Sequence, residues 1–148
     1  MSSAKKILVI GTYDTKDDEL DFLAGIIGNQ GGQVVTMDVS VLGDPSKPTD
    51  YSKHAVAKEG GSSIQAAIDS CDENQAMQIM ARGASLLATR LYTAGVFDGV
   101  ILLGGTMGTD LALDVTSALP LGVPKYIVST VAFSPLIPAE RLAADTQM

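Results

Sequence analysis

Residues 100–114 read VILLGGTMGTDLALD. Four apolar residues run into Gly104-Gly105, then Thr106, then a third glycine at Gly108, and Asp110 opens an amphipathic run. A short apolar strand, a glycine turn and a helix start form the unit from which parallel sheets are built. Such a turn leaves amide N–H groups pointing at one place, with a helix dipole behind them. The stretch therefore reads either as an anion site or as a tight strand-to-helix turn with threonines as caps. It matches neither G-x-x-x-x-G-K-[ST] nor G-x-G-x-x-G.

The same unit recurs on both sides. KILVIGT (residues 6–12) is a β-branched apolar run ended by glycine, and YDTKDDELDFLAGIIGNQGG follows it. In that helix Leu20, Leu23 and Ile27 recur at helical spacing, with Phe22 and Ile26 beside them. Thr15 with Asp18 resembles a capping box, and Gly31-Gly32 ends the helix. QVVTMDVSVL (33–42) is a second strand, and PKYIVSTV (124–131) is a fourth after GVILLGG. Residues 43–61 break the rhythm and read as a long surface loop with one helical turn near KHAVAK; His54, the lone histidine, reads as solvated there.

Beyond the loop, Ser62 with Gln65 and Asp72 with Gln75 are capping pairs. Met77, Met80, Ala84, Leu87, Ala88 and Leu91 then line one face of a long helix that Gly95 ends, and a methionine stripe at this spacing is core. Leu111, Val115 and Ala118 face inward on the next helix, and PAERLAADTQM (138–148) begins a further one. Cys71, with Ile64 and Ile68, reads as a packed thiol; one cysteine excludes an internal disulfide.

The expectation is a three-layer α/β fold: an open parallel sheet, Rossmann- or flavodoxin-like, in strand order 2-1-3-4, with helices on both faces. The 148 residues make one domain, and 46% hydrophobic content is enough for a real core. The unclosed last helix suggests the first domain of something longer. A net charge of -7 argues against a nucleic-acid footprint but not against one small nucleotide. No apolar run nears the roughly 18 residues that span a membrane, and MSSAKK is not a secretory signal, so a cytoplasmic location is expected.

In an open parallel sheet, ligands bind beyond the carboxyl ends of the strands. Every polar cluster lies at such an end: GTYDTKDD, MDVS, GGTMGTD and STVAFS. In the first, Gly11 supplies a turn, Thr12 and Thr15 hydroxyls, Lys16 a cation, and Asp14 a carboxylate for magnesium. The plainer reading makes Asp14 or Thr15 a helix cap and Lys16 solvated. Asp38 stands about as far past Gly11 as the ribose-binding acid of dinucleotide folds, and reads equally as a loop carboxylate.

ILVIGTYDTKDDELDFL, VVTMDVSVLGDP and GVILLGGTMGTDLALDVTSALPLGVPKYIVSTVA resemble the Tm-1-like ATP-binding family, catalogued as UPF0261. The G-T-x-D-T-K-x-x-E opening and the Gly-Gly-(Ser/Thr)-x-Gly-Thr turn, in this order, carry the resemblance over nearly the whole chain. It implies an N-terminal region of two α/β subdomains, of which this chain is the first, binding ATP with magnesium and self-associating. It places Gly11, Thr12, Asp14, Thr15, Lys16 and Asp38 at the nucleotide, and Gly104, Gly105, Thr106, Gly108 and Thr109 as the phosphate cradle. Ser129 and Thr130 close the fourth strand end. After STVA the sequence departs from the family: FSPLIPAERLA stands where many members have Ser-Gly leading to YVG. A nucleotide-binding module is the favoured reading, because no base-and-nucleophile pair is visible. An ATP-dependent ligase or phosphotransferase needing a second domain, and a flavodoxin-like interaction domain without ligand, are the alternatives.

Overall fold

The computed structural model describes residues 3–148. Its centre is an all-parallel sheet of β1 (Lys6–Gly11), β2 (Gln33–Asp38), β3 (Gly99–Gly104), β4 (Lys125–Ser129) and β5 (Thr146–Gln147), in the order β2-β1-β3-β4-β5. The helices are α1 (Asp17–Asn29), α2 (Lys53–Glu59), α3 (Ile64–Asp69), α4 (Glu73–Thr93) and α5 (Thr106–Ala118). Winding reverses between β1 and β3, the switch point at which open sheets form their crevice.

Alternation along the strands sorts the core into two layers. Leu8, Ile10, Val100, Leu102 and Ile127 are buried against residues of α2, α4 and α5, including Val56, Met80, Leu87, Leu111 and Val115. Val9 points the other way and is sealed by Leu20 of α1 and by Tyr13. Helices thus lie on both faces, and the four expected strands pair in the expected order. None of the helices among the described residues is long and apolar enough to cross a membrane.

Several local readings change. The C-terminal segment forms a single 3₁₀ turn (Ala139–Arg141) and then β5, not a helix. Tertiary partners override its propensity: Arg141 bonds Asp110 and Asp114 on α5, Leu142 and Met148 pack on the core, and Lys125 pairs with Asp145. Within residues 43–61, α2 is a full helix capped by Ser52, whose Oγ accepts from Ala55 N at 3.2 Å. Only Val56 and Ala57 of its apolar residues are deeply buried, too few to show a period. His54 is exposed, as expected. The cap of α3 is Ser63, one residue later than Ser62, while Asp72 caps α4 through the N–H groups of Asn74 and Gln75.

The Thr15–Asp18 capping box does not form. Thr12 O takes the N–H groups of Thr15 and Lys16, and the two threonine hydroxyls pair at 3.0 Å. α5 starts at Thr106, four residues before Asp110, and it buries Leu111 and Val115 but not Ala118; Leu119 is buried instead. Met77 is only half-buried on the α4 stripe, and Phe22 and Ile26 of α1 stay exposed. Cys71 is exposed with φ 50°, because α3 ends at Asp69 and the chain must turn to start α4. The glycine stops are as read: Gly31 and Gly95 have φ 85° and 76°, a region where L side chains are strained.

Candidate functional site

The register gathers the polar strand ends. Gly11 pairs with Asp38 and Gly104 with Ser129, so all four sit along one edge of the sheet. α1 and α5 both start there. What each start offers a ligand differs.

At α5, Gly105 occupies the cap position and supplies no side-chain bond. The first turn carries no acid. Thr109 N bonds Gly105 O at 2.8 Å and opens the helical ladder, so the N–H groups of Thr106, Met107 and Gly108 have no partner among the described residues. Unpaired N–H groups at the positive end of a dipole attract anions.

The three glycines have different jobs. A Cβ on Gly104 would lie 2.6 Å from Gly108 Cα, so Gly104 lets the strand end pack on the helix backbone. A Cβ on Gly105 would meet nothing nearer than Thr130 Oγ1 at 3.7 Å. Gly105 therefore borders open space, and a Cβ on Gly108 would meet only Leu103 O, at 3.7 Å. The threonines also divide. Thr106 is exposed and free to donate. Thr109 is buried, its hydroxyl 2.6 Å from Ser129 Oγ, which accepts from Val131 N at 3.0 Å. Thr109 and Ser129 thus lock β4 to α5. Thr130 is exposed beside Gly105.

At α1 the helix start is acidic and tied down. Lys16 is the cap residue and makes no side-chain cap bond, and Asp17, Asp18 and Glu19 fill the first turn. The loop after β2 folds over them. Gly43 N donates to Asp14 Oδ2 at 3.1 Å, Ser46 N donates to Asp17 Oδ2 at 3.0 Å, and Lys47 pairs with Asp21. The Ser46 hydrogen bonds hold the Asp17 carboxyl below its ordinary value. Lys53, buried at the start of α2, anchors this loop from beneath by donating to Gly43 O and Asp44 Oδ1, both at 2.8 Å. Lys16 reaches only Glu19, at 3.7 Å, and is otherwise half-exposed toward solvent.

Asp38 is 1% exposed. Its Oδ1 accepts from Tyr13 N at 3.2 Å, Ser40 N at 2.9 Å and Ser40 Oγ. Ser40 Oγ in turn takes Asp14 N at 3.2 Å. Asp38 organises the floor of the crevice and ties β2 to the β1 turn. Burial, then the Asp38 charge, raises the Tyr13 phenol, which stays neutral and donates to Val9 O. Gly11 is explained by packing, since a Cβ there would meet Leu20 Cδ1 at 2.8 Å. Ser40 and Tyr13 escape the sequence reading: no motif marks them, and only their place just past a strand end hints at their role.

Two cavities meet at the α5 start. One, about 430 Å³, has Thr12, Asp14 and Thr15 on its polar wall and Val41, Leu42 and Ala76 among its apolar ones. The other, about 290 Å³, is bounded by Thr106, Thr109, Val131 and Arg141. Met77 and Met107 line both and form the partition. The structure thus brings together Thr12, Asp14, Thr15 and the α5 start around one crevice. It places Lys16 outside both linings and commits Asp38 Oδ1, Thr109 and Ser129 to internal bonds. Among the described residues, no group of three or more His, Cys, Asp or Glu is placed to hold a metal. Asp14 stands on the crevice wall with one oxygen engaged by Gly43 N, and Asp72 and Glu73 line the same cavity, but they form no cluster of three, so a cation would depend mainly on oxygens brought by a ligand.

The N-terminal domain of the uncharacterised protein family UPF0261 matches residues 5–140. The chain belongs to this family. A UPF0261 protein of Brucella suis is 54% identical over 147 residues, 99% of this chain and 35% of the relative. A UPF0261 protein of Clostridium tetani is 39% identical over 86% of the chain and 32% of its own length. More distantly, the ToMV susceptible protein tm-1(GCR26) of tomato, Solanum lycopersicum, is 30% identical over 88% of the chain and 19% of its own length. The chain therefore spans about a third of the length of the bacterial relatives it matches.

Proposed function

We propose that this domain binds ATP with magnesium, the phosphates resting on the start of α5. One observation carries the reading: the N–H groups of Thr106, Met107 and Gly108, without a partner among the described residues, stand in a first helical turn that carries no acid, where Gly105 leaves open space. Thr106 and Thr130 add hydroxyls beside the phosphates. The cavity walled by Asp14, Thr12 and apolar side chains suits a nucleoside. Magnesium bound with ATP would screen the phosphates from the acidic α1 start, with Asp14 on the crevice wall as a carboxylate that would help hold it. Lys16, part-exposed and held among the described residues only by Glu19 at 3.7 Å, is the cation of the α1 start and would be the side chain to reach a phosphate.

A second reading, phosphoryl or nucleotidyl transfer to another molecule, has one observation in its favour: a second cavity opens beyond Met107 onto the same helix start. Calorimetry with ATP, ADP, NAD and FMN, each with and without magnesium, tests the proposal. It expects ATP and ADP to bind and magnesium to strengthen ATP. Binding of FMN or NAD with no response to ATP would overturn it. Consumption of ATP by the domain alone would favour the second reading.

A further inference from the structure

One face of the sheet is only half covered. Opposite the layer of α2, α4 and α5, the strands present Val9, Ile101, Leu103, Tyr126 and Val128. α1 covers β1 and β2 on this side. Over β3 and β4 the face carries no helix among the described residues: Tyr126 is 47% and Val128 38% exposed. Phe22, on the flank of α1 beside this gap, is 71% exposed. Parallel sheets are ordinarily covered on both faces, and a contiguous apolar patch marks an interaction site.

The edge next to this face is open too. β5 pairs only with Lys125 and Tyr126, which leaves the outer edge of β4 from Ile127 to Ser129 without a strand partner among the described residues. Open edge and bare face adjoin, so one incoming unit could cover both. The match is to an N-terminal domain, and the bacterial relatives devote about two thirds of their length to sequence outside the matched stretch.

We propose that the bare face of β3 and β4 is the docking surface for the C-terminal portion of the UPF0261 polypeptide, whether joined to this chain or supplied separately. The occupant lays an apolar helix on Ile101, Leu103, Tyr126 and Val128. It presents a Lys or Arg to Asp18 and Glu19, which line one end of the gap beside Phe22. A second copy of this chain fits less well. Its net charge is -7, and a twofold pairing would bring both sets of these acids into one interface.

The test compares thiol alkylation, read residue by residue by peptide mass spectrometry, in this chain and in the full-length Brucella suis relative. Val128→Cys is made here and at the aligned position of the relative, with Tyr126→Cys as a second probe should the first misfold. Leu86→Cys, on the exposed side of α4, is the control. The expected result is labelling at Val128→Cys at least tenfold slower in the full-length protein, with equal labelling at Leu86→Cys. Equal rates at Val128→Cys and Tyr126→Cys would overturn the proposal. So would protection already present in this chain that disappears on dilution, because a second copy would then be the occupant.

Discussion

α1 and α5 start side by side beyond the same sheet edge, each after a strand that ends in glycine. The α1 start carries Asp17, Asp18 and Glu19 and is covered by the 43–47 loop through Gly43 and Ser46. The α5 start carries no acid and no side-chain cap. Acids in a first turn complement the helix dipole themselves, while an empty first turn leaves that work to a ligand. Two turns that look alike as glycine-rich strand ends thus differ: one is closed by its own acids and loop, and the other, in the proposed function, receives the anion.

The largest effect expected is at Gly104. Gly104→Ala would press a methyl group into the Gly108 backbone, and relief requires the start of α5 to move. A loss of about 3 kcal/mol in stability is expected, read as a fall in the denaturant midpoint at unchanged slope. A midpoint within error of the parent would show that the α5 start is not rigidly packed on β3.

Thr109→Val should cost less, about 1–2 kcal/mol, because it strands Ser129 Oγ beside a methyl group in a partly buried site. If the hydroxyl instead serves a ligand, stability will hold and nucleotide affinity alone will fall.

Lys16→Ala probes the α1 side. Lys16 is half-exposed and only loosely paired with Glu19, so its removal should leave stability within about 0.5 kcal/mol. ATP affinity should fall about tenfold, and adenosine affinity should not change. Equal losses for both ligands would move Lys16 from the phosphates to the fold.

The smallest effect belongs to Asp17. Its carboxyl is held below the ordinary value by Ser46, so the folded state favours its charged form. That contribution is present above the ordinary carboxylate value and is lost as pH falls through the lowered one. Acidification through that range should lower the protection of the Ser46 amide relative to its intrinsic exchange rate at each pH, and Asp17→Asn should show the lower protection already at neutral pH. No change in the variant would remove the loop from the account of the α1 start.

The sheet was legible because four β-branched runs each ended in glycine or hydroxyl residues, a pattern local to the chain. β5 was not legible, since Thr146 and Gln147 form a strand only against Lys125 and Tyr126, and Arg141 prefers the α5 carboxylates to another turn of helix. α2 was half legible, because its anchor is Lys53, a buried cation that sequence patterning assigns to solvent. At the candidate site, the motif marked turns that the fold brings to one end of the sheet but could not separate roles within them. Gly104 and Gly105 are adjacent and identical, yet one faces backbone and the other space. Thr106 and Thr109 look interchangeable until Ser129 claims the second. Such distinctions depend on the register between β3 and β4, which no single segment contains.

The most direct measurement is calorimetry of ATP and adenosine, with magnesium, on the parent and on Gly105→Asp. Aspartate is a good N-cap and has room at this position, so the variant should keep its helix content and gain a few tenths of a kcal/mol in stability. Its carboxylate would take the open N–H groups and set a negative charge where the phosphates rest, making the α5 start resemble the α1 start. The account predicts that ATP binding falls at least a hundredfold while adenosine binding changes less than threefold. Undiminished ATP binding in a folded Gly105→Asp protein would contradict it, and the bare start of α5 would then be only a turn.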